Sequence, residues 1–397
     1  MMQGETIRPA AESCVGIEVR RGFPMLLDRL ADRAVGARGF LRAAWYRGDS
    51  GPQDGTTIVA RRLDDSVIAA IPTVPIGPTL LGARTVPGSY WPFRSILIDS
   101  SATQAELTEA FKHPMLRATL TPMWRVGPVY KDDPATVMLK RAAARAGWTV
   151  LKRRVGQTFI FDLAANEDGG WPRKSTRRRL AGYERQLGLI GAVSYRHVTG
   201  SDWDEAAFAA LSAIEANSWV GQTTDGSGAK FLSEEQRERW RRMVCDPHLA
   251  KALSATIMFV GEQPAAFSFD LQEGSTQFAI ASSYDERFAA GRPGRIVTWR
   301  QLQWARERGV TRVDLGAGDS GYKQDMGALP GSEILDLLIV RSRSAAKVLK
   351  LKWGEESAIG RDAFLPAADV GHAALLTRIE PWLAAGAVAA AVLALSE

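Results

Sequence analysis

Cysteine is almost missing: the 397 residues contain two, Cys14 and Cys245. So far apart, they offer no disulfide framework, and a reducing cytoplasm fits that usage. Histidine numbers four, and neither cysteine has ligand-bearing neighbours, so no zinc site and no other metal is expected. Long apolar runs are lacking too. The nearest, WLAAGAVAAAVLAL at 382–395, falls short of the 18 or more residues of a spanning helix and reads as a packed C-terminal helix. The opening MMQGETIRPA has no apolar stretch of a signal peptide. An excess of one charge sign is also absent: 50 basic residues face 44 acidic ones, and a net +6 does not by itself announce nucleic acid. No Ser–His–Asp order or nucleophile elbow is visible. The phrase GAGDSGYK lacks the Gly–Lys–Ser/Thr ending of a phosphate loop.

What is present is an ordinary globular composition, 46% apolar and 24% charged, in a chain long enough for two cores. The polar, glycine-rich AANEDGGW at 164–171 marks the boundary. We expect domains at 1–163 and 172–345, with a helical extension at 346–397. Two basic surpluses stand out, residues 173–185 with six cations against one acid and 341–352 with five and no acid. Such runs form solvated faces, or attract a polyphosphate or an anionic membrane surface.

In the first half, the patterns predict a hairpin at 56–60 and 67–73 and an irregular proline-rich connection over 72–92. A helix at 103–111, strands at 96–98 and 115–120, a helix at 134–146 and strands at 148–152 and 158–162 follow. The second half reads as a basic helix at 175–187, a strand at 192–197 and a helix opened by Asp202 with Glu205 three residues on. Ser233 and Gln236 suggest a capping box for a helix ending near Val244. Strands at 255–260, 265–271 and 276–281 precede a helix at 294–308, a strand at 310–315, a loop to Gly327 and a strand at 334–340. The fold class is α/β, of the α+β kind with a mixed sheet, and its cleft lies where neighbouring strands diverge.

The organising stretch is 284–327, YDERFAAGRPGRIVTWRQLQWARERGVTRVDLGAGDSGYKQDMG. A basic, glycine-containing turn that opens a helix between two strands can hold a phosphorylated ligand on the helix-end N–H groups. With IEANSWVG at 214–221 and VDLGAGDSGYKQDMG at 313–327, it resembles the GNAT superfamily of acyl-CoA-dependent N-acyltransferases. The narrower resemblance is to acetyltransferases of cellulose and exopolysaccharide biosynthesis, with the peptidoglycan aminoacyl transferases as relatives. It covers about 175–345 and extends weakly over the first half, where such proteins carry a degenerate second copy. The resemblance implies tandem GNAT-like domains and acyl-CoA as donor. The pantetheine arm would lie between strands 276–281 (Phe278, Ile280, Ala281) and 310–315. The pyrophosphate would lie over Gly291, Arg292, Gly294, Arg295 and Ile296. GRPGRI departs from the usual form at Gly291 and Ile296.

Amide formation needs a base, an oxyanion donor and a protonated leaving thiol. Asp319, in the loop beyond the cofactor strand, is the first base candidate and Glu215 the second. Tyr322 could protonate the thiolate; each of the three could instead anchor or cap its loop. Trp219 as a lid, Asp270 and Tyr284 facing the cleft, and Lys323 on an anionic group are the substrate-binding candidates. Against these stand a core tryptophan and a solvated lysine. Asp285 could point the same way, and His197 reads as structural. The implied acceptor is an amine: an amino sugar, an amino acid, or a lipid amine such as a sphingoid base. The 71–93 wall, the basic 341–352 run and the alanine-rich C-terminus suit a hydrophobic acceptor and a cytoplasmic protein at the inner face of a membrane. Aminoacyl transfer from charged tRNA, using the basic 173–185 helix, and a non-catalytic scaffold are the other readings.

Overall fold

The structure is a computed structural model that describes residues 15–36, 38–48, 55–76, 82–89, 93–165, 174–224, 226, 228–318 and 322–353. In the first half, strands β1 (Val15–Arg21), β2 (Thr56–Arg62), β3 (Val67–Pro75), β4 (Arg84–Thr85), β5 (Leu97–Ile98), β6 (Met123–Tyr130) and β7 (Thr149–Asp162) appear. Helices α1 (Leu26–Ala31), α2 (Ala43–Arg47), α3 (Gln104–Lys112), α4 (Pro114–Leu120) and α5 (Pro134–Arg145) join them. The second half opens with α6 (Lys174–Gly188), β8 (Val193–Thr199), α7 (Glu205–Ala216), α8 (Trp219–Thr223), α9 (Glu234–Val244) and α10 (Pro247–Ala252). It continues with β9 (Leu253–Val260), β10 (Gln263–Glu273), β11 (Thr276–Tyr284) and α11 (Pro293–Glu307). Last come β12 (Arg312–Ala317), α12 (Tyr322–Asp325), β13 (Leu329–Val340) and α13 (Arg343–Trp353). No helix among the described residues is long and apolar enough to cross a membrane.

One mixed sheet of 13 strands carries everything, in the order β1-β2-β3-β4-β6-β13-β7-β12-β11-β10-β9-β8, with β5 on β3. From its two ends inward the halves repeat. Each contributes three antiparallel strands and then a parallel pair, β4 with β6 and β11 with β12. The final strands are exchanged: β7 lies against β12, and β13 lies between β6 and β7. This topology is a tandem GNAT-like architecture.

The two halves also share a core. Trp45 meets Trp240 edge-on at 6.4 Å, and Phe93 meets Phe278 at 5.6 Å. Burying rings of this size removes large apolar areas from water at one contact.

Several sequence expectations are corrected. Residues 115–120 are helical, because Pro114 starts a turn that the His113 ring caps. The strands at 148–152 and 158–162 are one 14-residue strand, β7, bent where it meets the irregular registers of β12 and β13. Asp202 belongs to a 3₁₀ turn; the cap of α7 is Asp204, whose carboxylate accepts the Ala207 N–H at 2.8 Å. Pro72 lies inside β3. It falls between the stretches paired with β5 and β4, so its missing N–H breaks no bond on that side. The Ser233–Gln236 capping box and the amphipathic α9 stand as expected.

Candidate active site

The parallel pair β11–β12 is short. Thr276, Gln277 and Phe278 pair with Arg312, Val313 and Asp314, and the two strands then part. A bulge drives the parting. Phe269 faces Ala281 and Asp270 faces Ala279, which leaves Ile280 as the extra residue of β11. Beyond Phe278, the edge of β11 that faced β12 carries backbone groups without a strand partner, so a wedge opens between the strands. In the first half the equivalent gap is closed. Val86 N–H donates to Arg125 C=O at 3.0 Å, Arg94 N–H to Pro128 C=O at 3.1 Å, and Gly127 N–H to Arg94 C=O at 3.0 Å. Only the second half thus has an open wedge among the described residues.

At the wide end of that wedge stands the start of α11. Arg292 takes a left-handed conformation (φ 50°, ψ 47°), and Pro293 occupies the first helical position. Arg292 and Arg295 are exposed on the first turn. The N–H of Gly294 precedes any helical carbonyl it could reach. Ile296 is different: its side chain is fully buried with Leu187, Met258 and Phe288, so only its backbone is near the helix end. Gly291 is glycine for packing. A Cβ there would meet the Leu187 side chain at 2.4 Å, which fixes the turn on α6. Tyr284 lies against the same helix start, its ring 3.1 Å from where a Gly294 Cβ would be. Trp219 is about half exposed, not a core residue. It opens α8 next to Asn217, whose carbonyl accepts the Glu286 N–H at 3.1 Å.

At the narrow end lies a cavity of about 340 Å³ between the two halves, lined among others by Arg38, Tyr130, Asp132, Phe278, Arg312 and Asp314. Asp314 is fully buried at the last paired position of β12. The Tyr130 hydroxyl donates to its Oδ2, and the Gly316 N–H to its Oδ1 at 2.8 Å. Burial pushes the Asp314 carboxyl up to about 6, against the pull of those two donors and of Lys323 and Arg312. The Tyr130 phenol is raised, by burial first and then by the Asp314 charge. At neutral pH the pair is a carboxylate held by a neutral phenol.

The sequence candidates fall differently. Asp319 lies outside the described residues, and so does the side chain of Tyr322. Glu215 is buried, and its oxygens take the Lys230 N–H at 2.8 Å and the Phe231 N–H at 2.6 Å; burial raises its carboxyl. It fastens a turn and leaves little for a substrate. Lys323 is not solvated: its ammonium is buried and donates to the Gly316 and Ala317 carbonyls at 3.0 and 3.2 Å, closing the end of β12. Asp270 does not face the cavity. It lies on the α11 side of the sheet, bonded by Ser268 at 2.9 Å and pushed up to about 7 by burial. Asp285 is clamped by the Arg287 guanidinium at 2.7–3.0 Å. His197 stacks on Trp304 at 4.4 Å, a structural place.

Sequence reading missed Asp314, Tyr130, Arg38 and Arg312. Asp314 carried one signal: a lone acid between Val313 and Leu315 in a short buried strand. Tyr130 and Arg38 carried none, because they reach the site only through the packing of the halves.

The family model described as "Acetyltransferase (GNAT) domain" matches residues 174–324. No curated protein matches the sequence. Among solved structures, FemX aligns at 11% identity with a TM-score of 0.54, covering 84% of this chain and 99% of its own. The L-PGS of Bacillus licheniformis aligns at 13% and 0.51, covering 83% and 95%. At such identities the likeness is one of fold. Residues 174–324 thus match a GNAT acetyltransferase domain, and they lie in a chain whose two halves repeat one strand pattern of the tandem GNAT-like fold.

Proposed function

We propose that the protein is an acyl-CoA-dependent N-acyltransferase whose second half binds the donor and whose acceptor enters from the cavity between the halves. The supporting observation is the position of Asp314, a buried carboxylate at the point where β11 and β12 part. The residues present fit the donor. Arg292, Arg295 and the Gly294 N–H stand where a diphosphate would lie, and the wedge matches a narrow thioester arm. Bound acyl-CoA supplies an activated carbonyl carbon. The chain supplies the rest. Asp314 takes the proton of the acceptor ammonium, directly or through a water. Backbone N–H groups of β11 beyond Phe278 face the developing oxyanion. The amine nitrogen gains the acyl carbon, the carbon–sulfur bond breaks, and the thiolate leaves with a proton as free CoA. No residue of the protein becomes acylated.

A thermal-shift series with acetyl-, medium- and long-chain acyl-CoA tests this. A donor at 100 times its Kd adds about 2.7 kcal/mol to unfolding. In an Arg292→Gln, Arg295→Gln double variant, donor affinity falls by about 10-fold or more, because charge-assisted contacts to phosphate are lost. One observation favours a second donor: α6 exposes Lys174, Arg177, Arg178, Arg179 and Arg185 on one helix. If no acyl-CoA protects the protein while aminoacyl-tRNA binds with a steep salt dependence, transfer from tRNA replaces the thioester reading.

A further inference from the structure

The cavity beside Asp314 is more polar than a lipid amine needs. Its apolar lining includes the Phe278 ring and Ile160; most other contributors are charged or hydrogen-bonding groups. Two of them are guanidinium groups. Arg38 is 8% exposed, rests over the Phe93 ring at 4.2 Å and is anchored by the Asp133 carboxylate. Asp133 is itself fixed, as the cap of α5 that accepts the Thr136 N–H at 2.9 Å. Arg38 is therefore held in place with an edge toward the cavity. Arg312 opens β12 two residues before Asp314, on the same face of the strand, and lines the cavity from the other side. Its guanidinium has no hydrogen-bond partner among the described residues. Both cations act electrostatically on the Tyr130 hydroxyl, the group that touches Asp314, so all four converge on one point.

Resting on the reading of Asp314 as the base, we infer that the acceptor is a small amine with an anionic group a few bonds from its nitrogen, the nitrogen directed to Asp314 and the anion to Arg312 and Arg38. A planar guanidinium fork suits a carboxylate or a phosphate oxygen pair. A cavity of about 340 Å³ has room for an amino acid or a phosphorylated amine. Among the described residues, no apolar wall long enough for a sphingoid chain lines it. Arg312 is the specificity-determining residue, because among the described residues its charge meets no carboxylate at salt-bridge distance.

Matched pairs of acceptors test the inference: β-alanine against β-alaninamide, and O-phosphoethanolamine against ethanolamine, with sphinganine as the lipid amine. Free-CoA release and product mass are read with the donor that protects best. Binding of each amine is read separately by calorimetry without donor. The anionic member of at least one pair is expected to bind and turn over about 10-fold or more better than its neutral partner. Arg312→Gln, an exposed site that folding tolerates, is expected to erase that ratio through KM while the acyl-CoA thermal shift stays as in wild type. Arg38→Lys supplies a second reading without leaving Asp133 unpaired. Which pair responds separates carboxylate from phosphate. Equal use of both members, preference for sphinganine, or a ratio unchanged in Arg312→Gln overturns the inference. Charge-dependent binding that Arg312→Gln abolishes, with no acyl transfer to any amine, supports the anion site and sinks the acyltransferase reading instead.

Discussion

Burial acts on Asp314 in two ways. It removes the water that would stabilise the carboxylate, and it leaves Tyr130 and the Gly316 amide as the donors that hold it. The folded carboxyl titrates near 6, above an unfolded value of about 3.9. The folded state therefore binds this proton more tightly than the unfolded one. Its contribution to stability is full below about pH 4 and is lost as pH rises through about 6. Activity runs the other way, because a base works only when deprotonated. We predict that kcat/KM rises with pH along a limb centred near 6. Asp314→Asn should remove that limb, lower kcat by about 100-fold or more and leave donor affinity nearly unchanged. The variant should also melt no lower than wild type at pH 8, where the buried charge is disfavoured. A loss of stability in step with activity would mark Asp314 as a structural carboxylate.

At the scale of elements, the β11–α11 connection does the positioning. Its Gly291 lies against Leu187 of α6, so the helix start that faces the wedge is set by a neighbouring helix. Gly291→Ala drives a methyl into Leu187. The expected cost is about 1–3 kcal/mol in urea unfolding, from overpacking. Adding Leu187→Ala should recover part of it, so the two changes are not additive. Additive losses would show that the contact is not the constraint. The same stretch explains what was legible beforehand. The helix near 293–307 and the strands beside it follow from local signals: a basic turn with glycine and proline, Ile296 and Leu302 on one buried face, and a strand on either side. The wedge itself was expected from the resemblance, because the Ile280 bulge that opens it depends on pairing with β10. Helix α4 was misread because Leu116 and Leu120, four residues apart, look like strand residues unless Pro114 is weighed as a helix start. The 14-residue β7 was split because its middle, Arg153 to Gln157, is polar. Its neighbours β12 and β13, remote in sequence, make that middle a strand. Tyr130 was invisible for the same reason, since its partner Asp314 lies in the other half; Arg38 is held by Asp133 and Phe93 of its own half and meets Arg312 only across the cavity.

The whole molecule is stitched by its exchanged strands. Asp336, on β13, is buried between Arg125 of β6 and Arg153 of β7, with bonds of 2.7–3.0 Å from Arg125. Burial alone would raise its carboxyl, but the two guanidinium groups outweigh that and hold it below the ordinary range. Breaking such a cluster from one side leaves uncompensated buried charge. Asp336→Asn is expected to cost about 3–5 kcal/mol. Calorimetry of the wild type is expected to show one transition, because neither half owns a complete sheet. Two separate transitions would show that the halves melt independently in spite of the exchange.

The position of β13 also bears on how the polypeptide is made. Residues 329–340 are among the last of the described chain to leave the ribosome, yet they fill the slot between β6 and β7, which emerge much earlier. Until then those two strands expose bare edges, and a bare edge invites pairing with any other extended chain nearby. Synthesis therefore has to keep the early half shielded, by a chaperone or by speed, until the later half arrives to close it.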